Sequence, residues 1–587
     1  MQRIGAVDAS FLAEYGQAAL YLMAMLHINQ GATLTNAARG AEALPLYGAA
    51  IGWLLRLELV PTALDVLGRM VDVAQRGGEG VADAALINLG AIALPIELAG
   101  GQRAAELLQA GYRAAHAAFA EDVNSEMVTV LCGLAKGHVY GTALRAGLRW
   151  DYRQDPEARA RLDAIAGLER GLSPQAVRSP QPLGNEVQDE LALVSYIGSA
   201  TPRPGAEPAE VLHNLRHAFD AYAQRALLAE AHGQKPALLF HDDIQAVLDP
   251  ETVLLDVLLT ERPRGRSVVL TRVVTASGPP EVFINEVGAA TSALAKVGGL
   301  QLRMHGLAPQ VALLRASLRG DPESGEVEPA LAGMSAALFG TSLWQRLGRL
   351  SAEGKQHLLV VPHGPLHFVP FHLLGDGEGD LAARFTVTYL PNVALLLRRK
   401  GRAPSTREGS AVFGHTFRAG NPFALPELPS VEQEVADIAA ALGVHAELDA
   451  GATRTAVLEA LRTRRFVHLA THGLHSVEAA AFHALFLWPE PGPAPAPEPA
   501  GDGRLHAYEL LGEPLDGLEV LSLGSCSSAL GRFDESDNLR GLPGTLLLAG
   551  ARAILAALWP VRDAAARRGG SPRGSASCRR VNDCTRP

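Results

Sequence analysis

The sequence predicts a two-part chain: helices alone over residues 1–165, then, beyond a connecting stretch at 166–235, a mainly parallel α/β sheet covered by helices over 236–563. Three observations predict it. Apolar residues recur at helical spacing through the first 165 positions, a Pro/Ser/Gly-rich passage interrupts them, and strand-length apolar runs then alternate with helical patterns. At about 150 residues per domain, 587 residues allow three to four domains, so burying a large core poses no difficulty.

In the helical part, Leu64, Leu67, Val71 and Ala74 fall on one helix face between Pro61 and Arg76. The stretch from Ala104 to Ala118 repeats that pattern about 41 residues later, and Gly77-Gly78 and Gly100-Gly101 supply stops. Paired helices at such an interval read as an α-solenoid of tetratricopeptide type or as an ordinary helical bundle.

The boundary passage runs through Ser179-Pro180-Gln181-Pro182 and Pro202 to Pro208, and an amphipathic helix is predicted around Leu215 to Ala231. Strands follow at Val253–Leu259, Ser267–Val274, His357–Val361, Phe385–Leu390, Ala411–Gly414, Phe466–Ala470, Val520–Leu523 and Ala553–Leu558. Ser430-Val431-Glu432-Gln433 has the form of a capping box, opening a helix that ends near Gly443. Pro489 to Gly503 is too proline-rich for helix or sheet and is expected to loop out. Residues 564–587 are rich in Arg, Gly and Ser and lack large apolar groups, so disorder is expected there.

Composition narrows the function. A formal net charge of −10 argues against nucleic acid as the partner. Four cysteines without a pairing pattern argue for a reducing compartment. Asp8 and Glu14 occupy the place of a signal-peptide core, and polar groups such as Gln17, His27 and Asn29 interrupt the longest uncharged N-terminal stretch. Neither secretion nor a membrane span is expected, and the cytoplasm is the expected location.

Two segments carry chemistry. In Arg465-Phe466-Val467-His468-Leu469-Ala470-Thr471-His472-Gly473 a short apolar strand ends in a histidine followed at once by glycine. In Leu518-Glu519-Val520-Leu521-Ser522-Leu523-Gly524-Ser525-Cys526 a second strand ends among small residues around a cysteine. Functional crevices of parallel sheets lie beyond the carboxyl ends of their strands, so two neighbouring strands would bring His472 and Cys526 to one edge. A thiol is only a few per cent ionised at neutral pH and needs an imidazole to take its proton. The backbone N–H groups of Gly473 and Cys526 are suited to hold the oxyanion of an attacked amide.

These segments resemble the CHAT domain, a bacterial branch of the caspase-like cysteine peptidases. The resemblance extends over about 330 residues. Ala246 to Leu255 is similar to the family's opening strand, Leu358 to Phe371 (LLVVPHGPLHFVPF) to a characteristic turn, and Tyr389-Leu390-Pro391 to a strand end. His-Leu-Ala-Thr-His-Gly matches closely, and Gly550 to Asp563 is similar to the closing strand. The resemblance implies a caspase-like fold, His472 as catalytic histidine, Cys526 as nucleophile, an acyl-enzyme route to peptide cleavage and no cofactor. It implies tetratricopeptide-like helices as the companion domain; from architecture alone, the concave face of such a solenoid is a binding surface, and a regulatory protein is expected there. It further implies acidic groups selecting a basic residue before the scissile bond, with Asp563, Asp537 and Asp534 as pocket candidates and Glu535 beside them. A catalytically inactive interaction scaffold is the alternative.

Other reactive residue types receive structural readings. His468 is expected to pack within its strand, Cys132 within a helix, and His363 to be structural despite its following glycine. His241-Asp242-Asp243 has no second cluster at ligand spacing, Gly375 to Asp380 reads as a hairpin loop, and no metal site is expected. Cys578 and Cys584 read as incidental thiols of the C-terminal tail.

Overall fold

The structure is a computed structural model that describes residues 2–77, parts of 81–114, 149–172, 208–229 and 244–559, the last except for 263–265, 279–280, 288–292, 298–299, 305–306, 320–325, 394, 397–404, 419–420, 422, 477–478, 491–501, 527 and 534–538. Two compact units result, 1–142 with 228–244 and 392–394, and 143–227 with 245–391 and 395–587.

The first unit is helical. It opens with α1 (Gln2–Asn36), α2 (Gly40–Arg56) and α3 (Val60–Arg76). In α2, Leu44, Tyr47, Ile51 and Leu54 recur every three or four residues, and all are buried. In α3 the expected Leu64, Leu67, Val71 and Ala74 are likewise buried, joined by Met70. The Tyr47 ring lies over Gly31 of α1, where an added Cβ would stand 2.7 Å from it, so glycine sets how closely the two helices cross. Gly77, with φ +68°, ends α3 as expected. Gly100 does not act as a stop. It is helical, and its missing side chain makes room for Leu64.

The second unit takes in α4 (Pro156–Glu169) and, up to Leu227, α5 (Pro208–Ala229), the helix expected within 166–235. They group with the α/β part rather than with the N-terminal helices or a linker. The reason is burial: Phe219 of α5 is fully enclosed and meets Phe482 and Tyr508 edge-on at 5.4 and 5.2 Å. Glu169 closes ion pairs with Arg216 at 2.6 Å and Arg504 at 2.9 Å.

The α/β part contains two five-stranded sheets. The first has the order β3-β2-β1-β6-β7 and is built from β1 (Thr252–Arg262), β2 (Arg266–Thr275), β3 (Glu281–Val287), β6 (His357–Pro362) and β7 (Thr386–Tyr389). Its first three strands form an antiparallel meander, while β1, β6 and β7 are parallel. A separate hairpin, β4 (Ala293–Val297) with β5 (Leu300–Met304), follows β3 in the chain. Helices α6 (Ala308–Arg319), α7 (Val327–Leu338) and α8 (Thr341–Ala352) share this sheet's core through Val311, Leu338, Leu343 and Leu347.

The second sheet is wholly parallel, in the order β17-β14-β10-β8-β9. Its strands are β8 (Ser410–Gly414), β9 (Ala446–Leu448), β10 (Phe466–Ala470), β14 (Val520–Gly524) and β17 (Ala553–Leu555). Strand alternation divides its faces. Val467, Leu469, Leu521 and Leu523 pack with α10 (Arg454–Thr463) and α11 (Leu542–Ala549), and Val412 and Ala470 pack with α9 (Val431–Leu442). The predicted strands correspond to these elements, with the closing strand shorter than expected at Ala553–Leu555.

The capping box does not form. Ser430 lies in the right-handed helical region without a side-chain cap, and Gln433 turns forward to Asp437 at 2.8 Å. Gly443 does close α9 in the left-handed conformation. The flanks of the proline-rich stretch pair as β12 (Ala484–Phe486) and β13 (Arg504–His506), while 491–501 of the expected loop lie outside the described residues. Gly375 and Asp380 bridge as a hairpin.

Candidate active site

Strands β10 and β14 are direct neighbours, running from Phe466 opposite Val520 to Ala470 opposite Gly524. His472 and Cys526 each stand two residues beyond that last pair, at the carboxyl edge. The alternation that turns Leu469 and Leu523 toward α10 and α11 assigns His468, Ala470, Ser522 and Gly524 to the α9 side. The segments stay together past the strand ends, since a Cβ added at Gly473 would lie 2.9 Å from the Cys526 carbonyl oxygen. Both His472 and Cys526 are half-buried.

The His472 ring is fixed from two sides. Phe417, beyond the end of β8, meets it edge-on at 4.6 Å, and its Nε2 lies 2.8 Å from the Pro426 carbonyl oxygen. A carbonyl only accepts, so Nε2 carries a proton, and in the neutral ring Nδ1 holds the lone pair. That tautomer leaves Nδ1 able to act as a base. Just after it, β11 (Gly473–Leu474) pairs antiparallel with β12. The Phe486 N–H donates to the His472 carbonyl at 3.0 Å, which makes Gly473 opposite Leu485 a non-hydrogen-bonded pair and turns the Gly473 N–H away from β12.

A buried polar cluster lies on the same sheet face. Ser522 Oγ is 3.0 Å from His468 Nδ1, and Glu434 Oε1 of α9 is 3.2 Å from His468 Nε2. Glu434 and His468 are only 3% and 4% exposed. The absence of a side chain at Gly524 provides the space, because a Cβ there would overlap Glu434 Oε1. At the end of β8, Asp449 accepts from His415 Nδ1 at 3.0 Å and from the Thr416 N–H at 2.8 Å. Burial works against the Asp449 charge, but the bonds from His415 and Thr416 hold its carboxyl below the ordinary range. Burial also lowers His415, with Asp449 opposing.

His472, Gly473 and Cys526 therefore meet at one sheet edge. Asp534, Glu535, Asp537 and Asp563 lie outside the described residues, as do His241-Asp242-Asp243, Cys132, Cys578 and Cys584. His363 directly follows β6, in the other sheet. Among the described residues no group of three His, Cys, Asp or Glu is placed to hold a metal, and no helix is long and apolar enough to cross a membrane. Sequence reasoning missed Pro426, Phe417 and Glu434. The first acts through its backbone, and the others look like ordinary core and helix-surface residues.

Comparison with known proteins adds to this geometry. Residues 334–568 match the CHAT domain. A curated relative, Tetratricopeptide repeat protein 28 of Mus musculus, is 30% identical over 256 residues, which cover 36% of this chain and 10% of that protein. The chain thus spans about a tenth of the relative's length.

Proposed function

Starting from a chain that carries a caspase-like CHAT domain at 334–568, we propose that it is a cysteine endopeptidase acting through His472 and Cys526. The thiol proton passes to His472 Nδ1, and Sγ attacks the scissile carbonyl carbon. The resulting oxyanion is held by the N–H groups of Gly473 and Cys526. Collapse expels the amine, which takes the proton back from His472, and leaves a thioester on Cys526. Water, giving its proton to His472, hydrolyses that thioester and regenerates the thiol.

The observation that carries this reading is the placement of His472 and Cys526 two residues past the ends of adjacent parallel strands. The donation of Nε2–H to Pro426 supports it, because it leaves Nδ1 as the basic nitrogen. Asp563, or Asp537 or Asp534, selects a basic residue before the cleaved bond, and a protein bound to the N-terminal helices controls activity. The setting is cytoplasmic. The test is cleavage of the chain itself or of a co-expressed protein: Cys526→Ala abolishes it, and cleavage that survives this change removes the proposal. The tetratricopeptide name of the relative favours a second reading, a scaffold that only binds proteins, for which Cys526→Ala changes nothing measured except thiol content.

A further inference from the structure

The loops that leave the two site strands converge on one carboxylate of a helix outside the CHAT match. After His472 the chain passes through Leu474 to a helical turn at Ala480–Phe482. After Cys526 it forms a small hairpin, β15 (Arg532–Phe533) with β16 (Leu539–Arg540). Asp220 of α5, which is 261 positions before Ala481, reaches both.

One carboxylate oxygen of Asp220 accepts the Ala481 N–H at 2.7 Å, and the other lies 2.8 Å from Arg540 Nη2. The same Arg540 nitrogen donates to the Asp220 backbone carbonyl at 3.1 Å, so the guanidinium grips helix backbone and side chain together. Asp220 is only 2% exposed. A buried carboxylate requires partners of this strength, and here both are supplied by the segments that follow the site residues. The neighbouring Phe219 wedges against Phe482, which fixes the height of α5 over the first loop. The loops also touch directly. Gly541, with φ +110°, lies against the His483 ring, where any side chain would overlap it.

We propose that Asp220 is a positioning residue: a single carboxylate that clamps the post-His472 loop to the post-Cys526 hairpin and so sets the spacing of the strand ends carrying the dyad. Its relevance to catalysis rests on the peptidase reading, but the clamp itself is measurable without catalysis. It also makes α5 an integral part of the site, although the helix precedes the matched domain.

The test is hydrogen exchange on the full chain carrying Asp220→Asn, read on peptides covering 473–486 and 528–541, with β8 and α9 as internal controls. Protection in both test segments is expected to fall about tenfold or more, the scale of losing a hydrogen bond to a charged group, while the controls hold. Arg540→Gln should loosen 528–541 more than 473–486, because the Ala481 bond survives. Loss confined to one segment in Asp220→Asn, or equal loss in the controls, overturns the clamp. The rate of Cys526 modification by a peptidyl electrophile separates the two ideas. A slower rate in Asp220→Asn supports the positioning role, and an unchanged rate in a loosened variant overturns it. Absence of modification in the unaltered chain counts against the peptidase reading, while the exchange result still decides the clamp.

Discussion

Gly524→Ala tests the buried cluster that underlies the site. The new methyl would stand 3.4 Å from the Ala470 side chain, an ordinary contact, but would occupy the position of Glu434 Oε1. Either the carboxylate moves off His468, from which it now lies 3.2 Å, or β14 shifts against β10. Overpacking costs ~1–3 kcal/mol and moving a buried polar side chain off its neighbours adds to that, so a loss of about 2–4 kcal/mol is expected. A double-mutant cycle isolates the cause. With Glu434→Ala as background the space is empty, and the same methyl should cost nothing or stabilise by ~0.5–1 kcal/mol, the ordinary gain of replacing a strand glycine. The assay is urea unfolding of the four proteins, followed by tryptophan fluorescence, to which Trp150, Trp344, Trp488 and Trp559 of the second unit contribute. Equal costs of Gly524→Ala in both backgrounds would refute the claim that Glu434 occupies that space.

Three further outcomes follow from the same geometry. Gly473→Ala should slow Cys526 modification by about tenfold or more with a stability loss of ~1–3 kcal/mol, since the added Cβ falls 2.9 Å from the Cys526 carbonyl; a normal rate in a folded protein contradicts that contact. Replacing residues 491–501 by a short Gly/Ser loop should leave unfolding within about 0.5 kcal/mol of the original, because β12 and β13 pair on their own and closure entropy changes slowly with length; loss of folding counts against this. Acid should weaken the α/β domain: burial holds His475 and His506 well below the ordinary histidine value of 6.5, so the unfolded chain binds protons that the folded one refuses. Their contribution is complete above about pH 6.5 and is lost as pH falls, by up to about 1.4 kcal/mol per pH unit for each, and equal urea midpoints at pH 7 and 5.5 would contradict it.

The strands of the second sheet were legible because runs such as Phe466–Ala470 and Val520–Leu523 are short, apolar and followed by small residues. For the same reason His472 and Cys526 stood out at their ends. The docking of α5 was not legible. Arg216 and Asp220 look like the polar face of a solvated helix, and only their partners at Glu169, Ala481 and Arg540, 47 to 320 positions away, make burial tolerable. Pro426 gave no signal because any residue supplies a carbonyl. Gly524 gave no signal of its role, which is to leave room for a carboxylate from α9. The capping box failed because Gln433 found Asp437 one turn ahead.

The most direct test of the central claim, that His472 serves Cys526, is the second-order rate of alkylation at Cys526 in a chain whose other three cysteines, Cys132, Cys578 and Cys584, are replaced by serine. At neutral pH, His472→Ala should slow a peptidyl electrophile about a hundredfold, the lower range for removing a positioned acid–base group. Equal rates with and without the imidazole would contradict the dyad.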